Sequence, residues 1–385
     1  MRRRLQSLLV CPIDRTPLEL IAWDTRTRPL EPAERARAQA MHINPATLEE
    51  DVETGVLLNP ARRIAYPIFE GVPRMLVFAT GVSARFEREL GGRLRTELPG
   101  YRLPALAPMP GEEDVLRTFS REWLDYQWDG RSYWNMTPEH TYRCMDRMLD
   151  LEARPVRHAR VLEAGIGIGG IADHVSRTQE CELVGIDLSY AVDAARRHFG
   201  GNPFLHVVQA SVFAPPFAEE SFDFVYSQGV IHHTFSTRTA FQSLSRLTRR
   251  GGRLYVWVYS QEDEERSAVR RGLMLLERLL RPVCWRLPGP LQTAVLLPIV
   301  PLYLVHQNLG SNGQAGAIRY GFNEAMHAAR DRFTPRYVHR HSNDEVGSWF
   351  HDAGYRDIGF VTQHQLPEDF PPSFLHCTGV DGVRS

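Results

Sequence analysis

Near the middle of the chain runs VLEAGIGIGG, Val161 to Gly170. Val161 and Leu162 end a buried strand, glycines let the backbone turn tightly and approach a ligand, and a helix begins. Gly165, Gly167 and Gly170 satisfy GxGxxG, a dinucleotide fingerprint. Glu163, Gly165, Gly167 and Gly169 satisfy a second pattern, ExGxGxG. Both patterns predict a nucleotide-binding turn, and the surrounding sequence has to say which nucleotide.

Outward from the loop, strands and helices alternate regularly. RVLEAG is an apolar strand, GGIADHVSRT a helix, and CELVGIDLS a strand ending in Asp187. YAVDAARRHFG is a helix stopped by glycine, and FLHVVQAS and FDFVYSQGV are strands. TRTAFQSLSRLTRR is an amphipathic helix and GGRLYVWVYS a strand. Near-continuous apolar strands between helices predict a parallel sheet covered on both faces. SNDEVGSWFHDAGYRDIGFVT reads as a further helix, capped by Ser342 or Asn343 and stopped by Gly354, then a strand. A last strand is expected in SFLHCTGV.

Four features bear on the nucleotide. Glu163 would repel a pyrophosphate but can face an amino group. Asp187 stands about 20 residues on, where an acid accepts ribose hydroxyls, which suits either nucleotide. FDFVYSQGVIHH and LTRRGGRLYVWVY follow in order, with Arg250 where a proline is usual. An aromatic arm precedes the core and an insertion follows its fifth strand. In this order and spacing the chain resembles the class I S-adenosylmethionine (SAM) methyltransferases, strongly over about 115–260 and loosely over about 336–380. The resemblance implies an α/β protein with a Rossmann-like seven-stranded SAM methyltransferase core, and SAM as cofactor. It places Glu163, Gly165, Gly167, Gly169, Asp187, Leu188, Ser211, Val212, Ser227 and Gln228 around that cofactor. Ser211 stands where the family usually has an aspartate for the adenine amino group; its hydroxyl or the Val212 backbone takes that role.

The first 78 residues predict a small β-rich unit, with about 30–50 helical or loose. Leu8, Cys11, Pro12 and Leu18, then Tyr66, Pro67, Ile68, Gly71, Pro73, Met75 and Leu76, resemble the small zinc-binding activators of tRNA methyltransferases. The second cysteine of the first zinc pair is Asp14, and the second pair is missing at Asn59 to Arg62, so no structural zinc is expected. The domains expected are 1–78, activator-like; 79–150, an aromatic helical arm or lid; 151–260, the SAM-binding core; 261–335, a helical substrate lid; and 336–385, completing the sheet.

Composition narrows the function. The formal net charge is −1, with no basic stripe to recruit nucleic acid. The 45 Lys-plus-Arg residues are all arginine, so no lysine Schiff base or lysine base is available. Five cysteines without CxxC spacing argue for a reducing cytoplasm rather than a disulfide framework. The apolar run in Leu291 to Gly310 carries Pro298 and Pro301 and is shorter than the about 20 residues a span needs, so buried or interfacial packing is expected instead.

Methyl transfer from a sulfonium is an in-line displacement, in which the protein aligns the acceptor and excludes water. His232 and His233, after the fourth strand, are the general-base candidates. Substrate contacts are expected from Tyr126, Gln127, Tyr133 and Trp134 in the arm, and from Arg319, Tyr320, Tyr337, His339 and His341 in and after the insertion. No metal is expected. The apolar insertion predicts a hydrophobic or lipid-like small-molecule substrate, in secondary metabolism, with its arginines free to meet a phosphate or carboxylate. A homodimer is left open. The competing readings are a non-catalytic or partner-dependent methyltransferase scaffold and, more remotely, a nicotinamide-dependent oxidoreductase.

Overall fold

In the computed structural model, residues 1–125, 136–261, 268–310, 318–361 and 377–385 are described. The chain opens with a 3-10 turn, Arg3–Leu8, then β1 (Glu19–Thr27), α1 (Pro32–Ala40), α2 (Pro45–Glu49), β2 (Glu50–Asn59), β3 (Ile64–Phe69) and β4 (Val72–Pro73). These strands form an antiparallel sheet in that order, with the 30–50 region helical as expected. Where the zinc ligands of the activators would stand, a hydrogen-bond cluster forms instead. Asp14 accepts from the Thr16 amide (3.2 Å) and hydroxyl (2.7 Å) and from Asn59 Nδ2 (3.1 Å), and pairs with Arg62. Cys11 Sγ lies 3.4 Å from the Tyr66 hydroxyl.

Three helices follow: α3 (Gly81–Glu97), α4 (Glu112–Asp125) and α5 (Pro138–Met148). Thr80 and Thr137 cap α3 and α5 by accepting amide hydrogens that the first turn leaves unpaired.

The core then alternates as the sequence predicts: β5 (Arg160–Ala164), α6 (Gly170–Thr178), β6 (Glu182–Asp187), α7 (Ala191–Phe199), β7 (Leu205–Gln209), β8 (Phe222–Gln228), α8 (Thr237–Ser245) and β9 (Thr248–Tyr259). α8 stops at Ser245, because Thr248 to Arg250 already belong to β9. The insertion folds into α9 (Ala268–Cys284), α10 (Gly289–Leu296), α11 (Val300–Gly310) and α12 (Phe322–Phe333). The apolar run from Leu291 is split between α10 and α11, and no helix among the described residues is long and apolar enough to cross a membrane. α13 (Asn343–Asp352), capped by Ser342, leads to β10 (Tyr355–Phe360) and β11 (Cys377–Arg384). Cys377 to Val380 of SFLHCTGV are in this last strand, and Ser373 to His376 lie outside the described residues.

The seven-stranded sheet runs β10-β11-β9-β8-β5-β6-β7, with β11 antiparallel to both neighbours and the ladders from β7 to β9 parallel. The chain reverses its direction of travel across the sheet between β5 and β8. Ligands of open α/β sheets bind at such a switch point, beyond the carboxyl ends of the strands.

The N-terminal sheet closes the free edge of β7. The Met75 amide donates to the Gln209 carbonyl (2.8 Å), and the buried Arg74 pairs with Asp193 and Gln209. Arg4 grips the buried Glu182 carboxylate at 2.7 and 3.0 Å, and Arg37 donates to the carbonyls of Ser176 (2.9 Å) and Cys181 (2.6 Å). Leu5, Leu57, Tyr66 and Met75 share one apolar cluster with Leu162, Val184, Phe217 and Val225, so the two sheets have a continuous core. Covering the edge also removes a template for unwanted strand pairing.

Candidate functional site

The glycine loop is shaped by close approach. Gly165 has φ +95°, and a Cβ there would lie 2.1 Å from Val230. The loop amides of Gly165 and Ile166 donate to the Ile186 carbonyl (2.8 and 3.0 Å), tying β5 to β6. Asp187 accepts from the Gly167 amide (3.1 Å) and from the Ser189 amide (2.8 Å) and hydroxyl (2.7 Å). Its carboxylate is therefore fixed against the loop, with lone pairs remaining for a ligand.

Around this loop opens a cleft. Asp187, Leu188, Ser211, Val212, Glu163, Gly165, Gly167 and Gln228 line it. Phe119, Glu122, Trp123, His233 and Asp331 line the cleft as well. The aromatic arm reaches the cleft through Phe119 and Trp123 of α4. Tyr126, Gln127, Tyr133 and Trp134 lie outside the described residues.

Glu163 is buried, and its Oε2 has no hydrogen-bond partner among the described residues. Burial pushes its pKa up to about 8; the Tyr226 hydroxyl works against the shift and the Asp187 charge adds to it. Asp187 is also raised by burial, against the hydrogen bonds from Ser189 and Gly167. A buried carboxyl with an open oxygen is expensive unless a donor or cation meets it.

Several predicted residues stand elsewhere. Gly169 (φ +87°) caps α6 and packs on Ala195, so the third glycine serves helix packing rather than the cleft wall. Ser227 is off the wall as well, its hydroxyl donating to the Ala164 carbonyl (3.0 Å) across β8 and β5. His232 is fully buried behind the wall, with its ring centroid 4.0 Å from that of Tyr259. Burial lowers its pKa well below the usual range. His233 does line the cleft. Its Nδ1 lies 3.0 Å from the Tyr337 carbonyl, so Nδ1 carries the hydrogen and Nε2 the lone pair. Burial pulls its pKa down to about 3, which makes it a hydrogen-bond acceptor rather than an effective proton acceptor at neutral pH.

Tyr337 and His339 form a layer behind His233: the His339 amide donates to the His232 carbonyl, and its Nε2 lies 3.0 Å from the Thr234 carbonyl. His341 Nε2 lies 2.9 Å from the Thr237 hydroxyl. These rings position the Ile231–His233 turn and do not line the cleft. Arg319 is exposed, and Tyr320 packs inside the insertion with its amide on Asn308 Oδ1 (2.8 Å). Arg281 of the insertion and Arg340 beyond it pair with the buried Glu277. Among the described residues, no arginine lines the cleft and no group of His, Cys, Asp or Glu is arranged to hold a metal.

Two acidic residues of the arm were not singled out in the sequence. Glu112 is buried and accepts from the Ser211 hydroxyl and from the Met109 amide (2.8 Å). It brings a carboxylate to the place where the third strand lacks its aspartate. Glu122 lines the cleft from the same helix.

The sheet order is that of a Rossmann-like methyltransferase fold, with an acid-and-glycine cleft at its switch point. Residues 162–256 match the methyltransferase domain family, and residues 2–71 match the Trm112p-like protein family. A stretch of 106 residues is 42% identical to the malonyl-[acyl-carrier protein] O-methyltransferase of Enterobacter lignolyticus, covering 27% of this chain and 40% of that protein. Another of 124 residues is 27% identical to the sterol 24-C-methyltransferase of Debaryomyces hansenii, covering 30% of this chain and 33% of that protein. The chain therefore spans less than half the length of these relatives. The complex of the Haloferax volcanii Trm112 methyltransferase activator with a candidate methyltransferase aligns over 69% of this chain and 96% of that one, at 15% identity and a TM-score of 0.40.

SAM is the cofactor of such a domain, and the residues present fit it. The open oxygen of Glu163 suits its ammonium.

Proposed function

We propose that the protein transfers a methyl group from SAM to a hydrophobic, lipid-like small molecule. Bound SAM supplies an activated methyl on a sulfonium. Glu163 holds its amino group, Asp187 its ribose and Glu112, steadied by Ser211, its adenine amino group; Leu188 and Val212 flank the base. The observation that carries the reading is the buried Glu163 carboxylate near the end of β5 beside a glycine turn, with one oxygen, Oε2, lacking a hydrogen-bond partner among the described residues. Calorimetric titration with SAM, S-adenosylhomocysteine (SAH) and NAD tests it. Binding of both sulfur nucleotides and not of NAD is expected; binding of NAD alone would overturn it.

The lipid-like acceptor is supported by the insertion. Leu275, Leu279 and Val283 on α9 and Leu302, Val305 and Leu309 on α11 are exposed, at spacings that put each set on one helix face. Arg271, Arg278 and Arg286 are exposed beside the first set, whereas Glu277 is buried. An apolar face rimmed by arginine suits the surface of an anionic bilayer. Interfacial docking would bring an apolar acceptor to the mouth of the cleft.

A second reading, a scaffold that works through a partner, is favoured by the match of residues 2–71 to the Trm112p-like family. Here that domain already covers the β7 edge of its own chain. Turnover by the isolated chain separates the two readings.

A further inference from the structure

Three of the cleft's carboxylates, Glu163, Asp187 and Glu112, have a task in the cofactor assignment above. Glu122 and Asp331 do not. Glu122 comes from α4 in the arm and Asp331 from α12 in the insertion, and both line the cleft. Glu122 is 1% exposed and neither of its oxygens has a hydrogen-bond partner among the described residues. Asp331 accepts from the Tyr259 hydroxyl at 3.2 Å.

Among the described residues, no arginine lines the cleft beside this pair. His327 Nε2 lies 3.6 Å from Glu122 Oε1, but burial pulls the pKa of His327 down to about 4, so it is neutral at pH 7. Arg330, Arg332 and Arg281 favour ionisation of one or other carboxyl. None of them lines the cleft; Arg330 donates to Thr293 and Arg281 pairs with Glu277. Burial still holds both carboxyls above their usual range, and the Asp331 charge pushes Glu122 further. In a chain whose basic residues are all arginine, the described wall of this cleft carries acids and no arginine.

We infer that the methyl acceptor is an amine, held as an ammonium by Glu122 and Asp331 in the cleft that Trp123 also lines. The inference rests on the methyltransferase reading and names its substrate class. A cation with several N–H donors meets both carboxylates and can lie against an aromatic face. Glu122 then takes one proton from the ammonium, freeing the nitrogen lone pair. Nitrogen bonds to the methyl carbon as the carbon–sulfur bond breaks, and that bond's electron pair stays on sulfur. The product leaves as the methylated ammonium, and the proton on Glu122 passes to water. A carboxyl with a raised pKa is better matched to this transfer than His233.

The test is calorimetry on the full chain saturated with SAH. The probes are 2-phenylethylamine, N-methyl-2-phenylethylamine and dodecylamine, each against the alcohol and the carboxylate of the same skeleton. At least one amine is expected to bind about tenfold or more tighter than both counterparts, and to lose about tenfold or more in E122Q and D331N. SAH binding by each variant reports that it is folded. If SAH binds but no amine exceeds its alcohol and acid, or if E122Q and D331N keep the preference, the amine assignment falls and the methyltransferase reading stands. If SAH does not bind the wild-type chain, the methyltransferase reading fails and the acceptor assignment with it.

Discussion

Glu163 is held in a state that suits the bound protein and not the empty one. Its folded pKa of about 8 lies above the ordinary glutamate value of 4.5. The folded chain therefore binds more protons than the unfolded chain between these limits. Stability from this group is full below pH 4.5 and is lost as pH rises through 8. E163Q should raise the melting temperature of the ligand-free protein at pH 9 and leave it little changed at pH 4.5. The same variant should weaken SAM binding by about a hundredfold, because the ammonium loses its charged partner. Near pH 7, SAM binding by the wild-type chain should release a proton, detectable by calorimetry in buffers of different ionisation enthalpy. Glu112 invites a narrower experiment. E112A should weaken SAH by about tenfold. It should weaken the S-inosyl analogue, which lacks the adenine amino group, much less; equal losses would remove Glu112 from the adenine site.

At the level of elements, the strand–turn–helix unit from Arg160 to Thr178 and the acid ending β6 were readable because each side chain there obeys a local rule. Strands buried on both faces are apolar, and the turn needs glycine at positive φ. Glu163 and Asp187 line the cleft from β5 and the end of β6. What escaped the sequence lies on α4. Glu112, Val115, Phe119, Glu122 and Trp123 all line the cleft from one face of that helix. The two glutamates on an otherwise apolar stripe were the available signal. Glu112 was hidden among the acids that begin the helix, and Glu122 sat in an aromatic run that drew attention to its rings. Asp331 gave no local signal, since only the fold of the insertion brings α12 to the arm. Ser227, Gly169 and His339 misled for the opposite reason: they occupy motif positions, but their polar atoms or their packing are taken up between elements. The junction of β4 with β7 makes its own prediction. Arg74 is nearly buried against Asp193 and Gln209, and R74A should cost about 3 kcal/mol in denaturant unfolding. A loss near zero would show that the two sheets are not coupled there.

On the scale of the whole molecule, an activator-like domain, a methyltransferase core and two covering segments share one chain. The N-terminal sheet buttresses the β7 edge, while α4 and α12 meet over the cleft from opposite ends of the sequence. Among the described residues, α9 and α11 each carry an exposed apolar face. Vesicles containing phosphatidylglycerol should co-sediment with the protein, and phosphatidylcholine vesicles much less. The double substitution L275D/L279D should abolish the difference while leaving SAH affinity unchanged. Self-association through this face, seen by analytical ultracentrifugation, would contradict the bilayer assignment.

The central claim is tested most directly by a crystal structure of the SAH complex. The account predicts the amino group of SAH against Glu163, the ribose hydroxyls on Asp187 and the adenine between Leu188 and Val212 with its amino group at Glu112. The sulfur should then face Glu122 and Asp331 across an open gap. SAH bound with its amino group away from Glu163, or with its sulfur turned from that pair, would contradict it.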